Sequence, residues 1–376
     1  MEQSTDRLEE HPQQVAAPKR RVRKLPSRAA LASLVMVLTL GSGGGLAAAA
    51  NGMLPWAERP VGCVKPDRTM DLYAVELPRQ KGQIRLGYGL TPETANYPGP
   101  TIEMMEGECL AITLHNQIPE ETLVALRTTP DHPLGVSLHV HGVKYTQDSD
   151  GTVHSNSFVA SGESRTYTWY AKARDKKTGS LGTAGYWWYH DHVGGGEHGT
   201  QGVGAGLFGA MVVRRKGDPK PDRTFVTAFG DRQTINLRNS EEADDCDWDN
   251  PQPGPACFVA RLGERIEFIN FGIGNEMHTW HLHGHNWANT RTGLLDNGPM
   301  VDEIPLIDNR PLGPGDSFGF QVTAGDSVGP GHWMLHCHMQ FHSDLGMSTM
   351  LHILDENGKM PPMSQQHVLT NSGVVR

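Results

Sequence analysis

Four His-x-His triplets constrain this 376-residue chain more than any other feature. They are His139-Val140-His141, His190-Asp191-His192, His281-Leu282-His283 and His336-Cys337-His338. On a strand, residues i and i+2 project to the same face, so each triplet aims two imidazoles at one point. The triplets form two sets, the members 51 residues apart in the first and 55 in the second. Aromatic residues precede the later triplet of each set, as in YWWYHDHV and WMLHCHMQFH. A repeat of this length is a duplicated domain and not a solenoid unit. Between the triplets run short alternating segments bounded by turns, such as Cys109–Leu114, Ser164–Tyr170, Arg265–Phe271 and Ser317–Val322. With 44 Gly and 25 Pro and no long amphipathic helical pattern, the chain reads as all-β, in sandwiches or barrels.

Eight imidazoles in duplicated positions are hard to explain by packing. Each ring has a polar edge that must be satisfied when buried, and eight converging rings need a common partner. Transition metals are that partner, and imidazole suits copper, zinc, iron and nickel. Cys337 decides among them. It sits between His336 and His338, so on a strand it faces the opposite side. His342 follows His338 by four residues, Met347 follows His342 by five, and His278 lies three before His281. One Cys, two His and a Met are the ligand set of a blue-copper site, the thioether being the long axial ligand. A redox copper on one side of the strand is then joined through Cys337 and its neighbours to a histidine cluster on the other. Asp191 stands at the position matching Cys337, so the first half has no thiolate and no blue copper.

The ends and the charge set limits. Residues 1–50 have a basic stretch, the apolar run Ala29–Leu40, and then Gly and Ala residues. This is the pattern of a cleaved secretory signal, and Arg20-Arg21 points to the twin-arginine route. The expectation is an exported protein with no stable membrane insertion after processing. A formal net charge of -9 argues against nucleic-acid binding. The predicted organisation is a signal at 1–50, an extension at 51–64, a first domain at 65–215, a linker at 216–222, a second domain at 223–360 and a tail at 361–376. Of five cysteines, Cys337 is reserved for metal. Cys63, Cys109, Cys246 and Cys257 allow three disulfide connectivities, and Cys246 and Cys257 flank a short turn-rich segment.

The HVHG, WYHDH, HTWHLHGH and HCHMQFHSDLGM segments resemble, in order, the four copper-binding signatures of the multicopper oxidases. The resemblance covers roughly residues 65–355, and the absence of a middle domain is similar to the small two-domain bacterial laccases. It implies two tandem cupredoxin-like Greek-key domains and four coppers per chain: one type-1, one type-2 and two type-3. Type-1 copper would sit on His278, Cys337 and His342 with Met347 axial, and type-2 copper on His139 and His281. The type-3 pair would take His141, His190 and His338 on one ion and His192, His283 and His336 on the other. The implied activity is one-electron oxidation of phenols or aromatic amines, coupled to reduction of O₂ to water. In the family, two-domain chains form a homotrimer, domain 1 of one subunit meeting domain 2 of the next to complete the trinuclear site.

Asp150, after the first triplet, is a candidate proton donor and otherwise a turn residue. Tyr145 resembles a tyrosine near the cluster of two-domain laccases that could supply an electron; its alternative is a satisfied sheet tyrosine. His285 reads as support for the cluster. His198 has no counterpart in the second half, and His115, His132, His154, His332 and His352 read as surface or packing residues. Three other activities compete. A copper nitrite reductase carries its thiolate ligand in domain 1. A metallo-oxidase for Cu(I), Fe(II) or Mn(II) often has a Met-rich insertion, absent here. A non-enzymatic copper carrier has no use for Cys337 tying one copper to a cluster.

Overall fold

The structure is a computed structural model, described here for residues 63, 65–239, 246–295 and 303–362. The predicted signal at 1–50 and nearly all of the predicted tail lie outside the described residues.

The first half runs β1 (Arg68–Gln80), β2 (Gln83–Gly89), β3 (Gly99–Met105), β4 (Cys109–Asn116) and helix α1 (Glu120–Leu126). It continues with β5 (Gly135–Val136), β6 (His139–Val140), β7 (Val159–Ala160), β8 (Ser164–Tyr170), β9 (Gly185–His190), α2 (Thr200–Ala205) and β10 (Phe208–Arg214). The second half holds β11 (Arg223–Gly230), β12 (Thr234–Ile235), β13 (Cys257–Arg261), β14 (Arg265–Gly272), β15 (His278–Leu282), β16 (Trp287–Ala288) and β17 (Leu306–Ile307). It closes with β18 (Asn309–Leu312), β19 (Ser317–Thr323), β20 (Gly331–Cys337), α3 (Gln340–Asp344) and β21 (Ser348–Leu354).

Four sheets carry the architecture. The first has order β2-β1-β4-β8, the second β3-β10-β9-β6, the third β12-β11-β14-β19 and the fourth β13-β21-β20-β15-β18. Mixed parallel and antiparallel pairing across crossovers gives two Greek-key sandwiches of cupredoxin type, so the all-β expectation holds. Period-2 burial builds them. In β4, Leu110, Ile112 and Leu114 are fully buried and meet Tyr167 and Trp169 of β8 in the first core. In the second core, Phe268 and Phe320 of the third sheet meet Trp280, Leu335 and Cys337 of the fourth.

A third apolar cluster joins the two sandwiches through the second and third sheets, with Tyr186, Trp188 and Phe208 against Ile269 and Phe271. The sheets therefore stack in the order first, second, third, fourth. At this seam Arg214 makes a two-pronged ion pair with the buried Glu267, at 2.8 and 2.9 Å. Tyr186 donates its hydroxyl to the same carboxylate at 2.9 Å. Gly319 of β19 lies under Tyr186, where a Cβ would come within 2.3 Å of the ring. Two disulfides, Cys63–Cys109 and Cys246–Cys257, leave Cys337 free and buried.

Candidate metal centres

Strand parity sorts the candidate ligands. On β15, Trp280 and Leu282 enter the second core, so His278 shares their inner face while His281 and His283 turn outward. On β20, Leu335 and Cys337 are inner, and His332, Met334 and His336 are outer. Trp280 pairs with Cys337 and His281 with His336, so the two strands hold both ligand sets in register, one on each face.

The inner set is His278, Cys337 and His342, all buried, with donor atoms within 4.8 Å of one another. His342 arrives from α3. The Nδ1 atoms of His278 and His342 are 3.2 Å apart and lie 3.9 and 3.6 Å from the Cys337 Sγ. Burial holds His278 down to about 4, so it is a neutral donor at ordinary pH. Burial also pushes the Cys337 thiol up, while the backbone N–H of Thr279 donates to Sγ at 3.4 Å. A bound cation supplies the charge that such a thiolate needs. Met347 is fully buried, and its carbonyl accepts from the Cys337 N–H at 3.0 Å. Two imidazoles and one thiolate, with Met347 packed in the same core cluster as Cys337, fit copper.

The outer set comes in two matching halves. On the first sandwich, His139, His141 and His190 converge, with the Nε2 atoms of His141 and His190 3.2 Å apart. On the second, His281, His283 and His336 converge, with the Nε2 atoms of His283 and His336 3.1 Å apart. His192 and His338 stand at matching rims, their ring centres 5.1 Å from His139 and His281. The anchoring also repeats. Nδ1–H donates to a carbonyl from His190 to Asp191 (2.8 Å), from His336 to Cys337 (2.9 Å), from His139 to Asp150 (2.6 Å) and from His281 to Asp308 (2.8 Å). Each ring is thereby fixed with its Nε2 lone pair toward the cluster, the usual device for aiming an imidazole at a metal. Burial lowers the pKa of His141 to about 4 and lowers those of His190, His283 and His336.

Among the described residues, no hydrogen bond and no ring contact joins the two halves. The first lies on the face of the second sheet that carries Tyr186 and Trp188, toward the second sandwich. The second lies on the outward face of the fourth sheet, where His283 and His338 are exposed. The whole second sandwich lies between them, on the order of 10 Å for each sheet spacing.

Asp191 shows what replaces the thiolate. It is fully buried and accepts from the backbone N–H of Ser137 (2.8 Å), Val193 (3.1 Å) and Gly194 (2.7 Å). Burial pushes its carboxyl up to about 7 against the pull of those donors. A Cβ on Gly202 would fall 1.9 Å from Asp191 Oδ2, so the glycine is required there. The residue is a loop organiser in place of a ligand.

Asp150 Oδ1 lies 3.7 Å from His139 Nδ1, and Tyr145 meets the His139 ring edge-on at 5.9 Å. Burial, and then Asp150, raises the Tyr145 phenol. Sequence reasoning missed Asp308, whose Oδ1 lies 4.0 Å from His281 Nδ1, the counterpart of Asp150 in the second half. Asp308 is 27 residues from His281, against 11 between His139 and Asp150, so spacing carried no signal. His285 does not reach the cluster. Its Nδ1–H donates to the His283 carbonyl and its Nε2 accepts from the Gly325 N–H, both at 3.0 Å. His198 lies 5.3 Å from the His192 ring, beside the first cluster. His332 and His352 are packing residues: His352 is buried, His332 is half-buried, and their Nδ1 atoms meet at 2.7 Å.

Two family models match the chain in tandem, both described as multicopper oxidase, one over residues 94–218 and the other over 219–357. A "Probable nitrite reductase-hydroxylamine oxidoreductase fusion protein" of Kuenenia stuttgartiensis is 33% identical over 287 residues, 73% of this chain and 29% of that protein. Dihydrogeodin oxidase of Aspergillus terreus is 34% identical over 141 residues, 33% of this chain and 22% of that enzyme. The chain thus spans less than a third of the length of these curated relatives. Among solved structures, a multicopper oxidase superposes with a TM-score of 0.52 at 20% identity, covering 76% of this chain and 88% of that one. Copper nitrite reductase from Nitrosomonas europaea gives 0.52 at 18% identity, covering 78% and 95%. At these identities the likeness carries the fold alone.

Proposed function

Because the chain belongs to the multicopper oxidase family, we propose that it works as a laccase-like member: it takes single electrons from small phenols or aromatic amines and reduces O₂ to water. The observation that carries this reading is the back-to-back arrangement on β20. Cys337 faces the inner set while His336, on the same strand, faces the outer one. Copper in these sites, four per chain, supplies the one-electron steps and the reduction of O₂.

The residues divide the work. His278, Cys337 and His342, with Met347, would hold the inner copper, and the Cys337 side chain and backbone lead to His336 and His338. His139 and His281 would hold the type-2 ion. The 3.2 Å pair His141 and His190, with His338, supports one type-3 site; the 3.1 Å pair His283 and His336, with His192, supports the other. Asp150 delivers protons beside His139, and Tyr145 is a reserve electron donor at its edge. Phe341, Met339 and Leu345, all exposed around His342, offer an apolar rim suited to an aromatic reductant. The separation of the two outer halves, and the exposure of His283 and His338, favour a homotrimer in which each site is completed between chains.

The name of the Kuenenia relative raises nitrite reduction as a second reading. The test compares O₂ uptake with a phenol, nitrite consumption, and Fe(II) oxidation on one preparation, with copper counted and the absorption spectrum recorded. Four coppers per chain, an intense thiolate-to-copper band and phenol-dependent O₂ uptake are expected. One or two coppers, with nitrite consumed instead, would overturn the laccase reading.

A further inference from the structure

Beyond the copper centres, the outward face of the fourth sheet carries a second cluster of metal-binding side chains. Cys257 of β13 lies two residues before Val259, which pairs with His352 of β21, and His352 pairs with His332 of β20. Parity puts Cys257, His352 and His332 on one face, opposite the second core. Cys246 comes to this face by its bridge to Cys257. The His352 Nε2 is 3.0 Å from the Cys246 Sγ, and both sulfurs and an imidazole nitrogen fall within 4.8 Å of one another. All three residues are buried. The opposite nitrogen of His352 meets His332 Nδ1 at 2.7 Å, which fixes the ring. Trp248 closes the cluster, its ring centre 4.8 Å from His332 and 6.0 Å from His352.

The donors are right for a soft ion, but the bridge occupies both sulfurs. We propose that Cys246, Cys257 and His352 form a redox-gated site for cuprous copper, closed by the disulfide and opened by a dithiol. In opening, a dithiol reductant gives two electrons and two protons to the S–S bond, becoming a disulfide as Cys246 and Cys257 become thiols. Cu(I) then displaces both thiol protons and binds two thiolates and the His352 Nε2. For Nε2 to bind copper the proton of His352 must sit on Nδ1, where His332 Nδ1 accepts it. Two thiolates and one imidazole select Cu(I) over harder ions, and the reducing conditions that open the bridge also hold copper in that state. The position adds to the argument. His332 and His336 lie on the same face of β20, four residues apart, about 13 Å at the usual strand rise. The site therefore sits beside the outer histidine cluster and could hold copper destined for it.

The test uses the copper-loaded full chain. One portion is reduced with a water-soluble phosphine under argon, both are offered one equivalent of chelator-buffered Cu(I), and retained copper is counted after desalting. The reduced wild type is expected to keep one copper more than the unreduced, with added sulfur ligation at the copper X-ray edge. Cys246→Ser/Cys257→Ser is expected to lose that increment and Cys63→Ser/Cys109→Ser to keep it. His332→Phe, acting through the orientation of His352, is expected to weaken retention about tenfold in chelator competition. No increment in the reduced wild type overturns the proposal, as does an increment that survives Cys246→Ser/Cys257→Ser. A bridge that resists the phosphine while the chain stays folded also overturns it. The wild-type comparison stands even if a variant fails to fold.

Discussion

Single side chains set the chemistry here, and two of them make separable predictions. Met347 is buried beside Cys337, and a thioether donates more electron density to copper than an alkyl chain does. Met347→Leu is therefore expected to raise the potential of the copper proposed on His278, Cys337 and His342, read by redox titration; an unchanged potential would remove Met347 from the ligand set. His352 bears on stability. Its folded pKa, about 4, lies below the ordinary histidine value because burial and then the nearby His332 disfavour the cation. Between that value and the unfolded pKa, the unfolded chain binds more protons, so stability is full above about pH 6.5 and falls as the pH drops toward 4. His352→Asn is expected to lose less stability than the wild type between pH 7 and 5, by up to about 2 kcal/mol at 1.4 kcal/mol per unit. Paired denaturation curves at the two pH values measure it.

At the scale of elements, much was legible because strand periodicity is a rule of parity. The triplets already placed His336 and His338 opposite Cys337, and β20 delivers that split for His336, with His338 following at its end. What could not be read was partnership across strands. Asp308 anchors His281 from a distant segment, and His332 meets His352 only because β20 and β21 pair in that register. The disulfides were two of several open pairings, since which segments meet depends on crossovers that spacing does not encode. The seam between the sandwiches was equally invisible. Arg214 and Glu267 are 53 residues apart and look like ordinary surface charges in sequence. Removing one partner of a buried pair leaves the other uncompensated. Arg214 keeps Glu103 at 2.8 Å, so Glu267→Gln is expected to cost about 3 kcal/mol, the low end for such pairs, in chemical denaturation. Gly319→Ala, which drives a methyl into the Tyr186 ring, is expected to cost about 1–3 kcal/mol.

At the scale of the molecule, the seam fixes how the halves are presented. One outer cluster faces inward across it and the other faces away, so a rigid single chain has no route to bring them together. Light scattering of the active enzyme is expected to give three chains. An active monomer would require the two sandwiches to separate and refold around one another.

The second sandwich standing between the clusters has a genetic consequence. A chain with His139 and His141 replaced keeps its far cluster, and one with His281 and His283 replaced keeps its near cluster. Each alone is expected to be inactive. Unfolded together and reassembled in equal amounts, they would draw partners at random around a closed ring. About a quarter of the junctions would then pair two intact halves. Two dead proteins mixed in one tube would recover close to that fraction of wild-type turnover, and mixed without unfolding they would recover almost none.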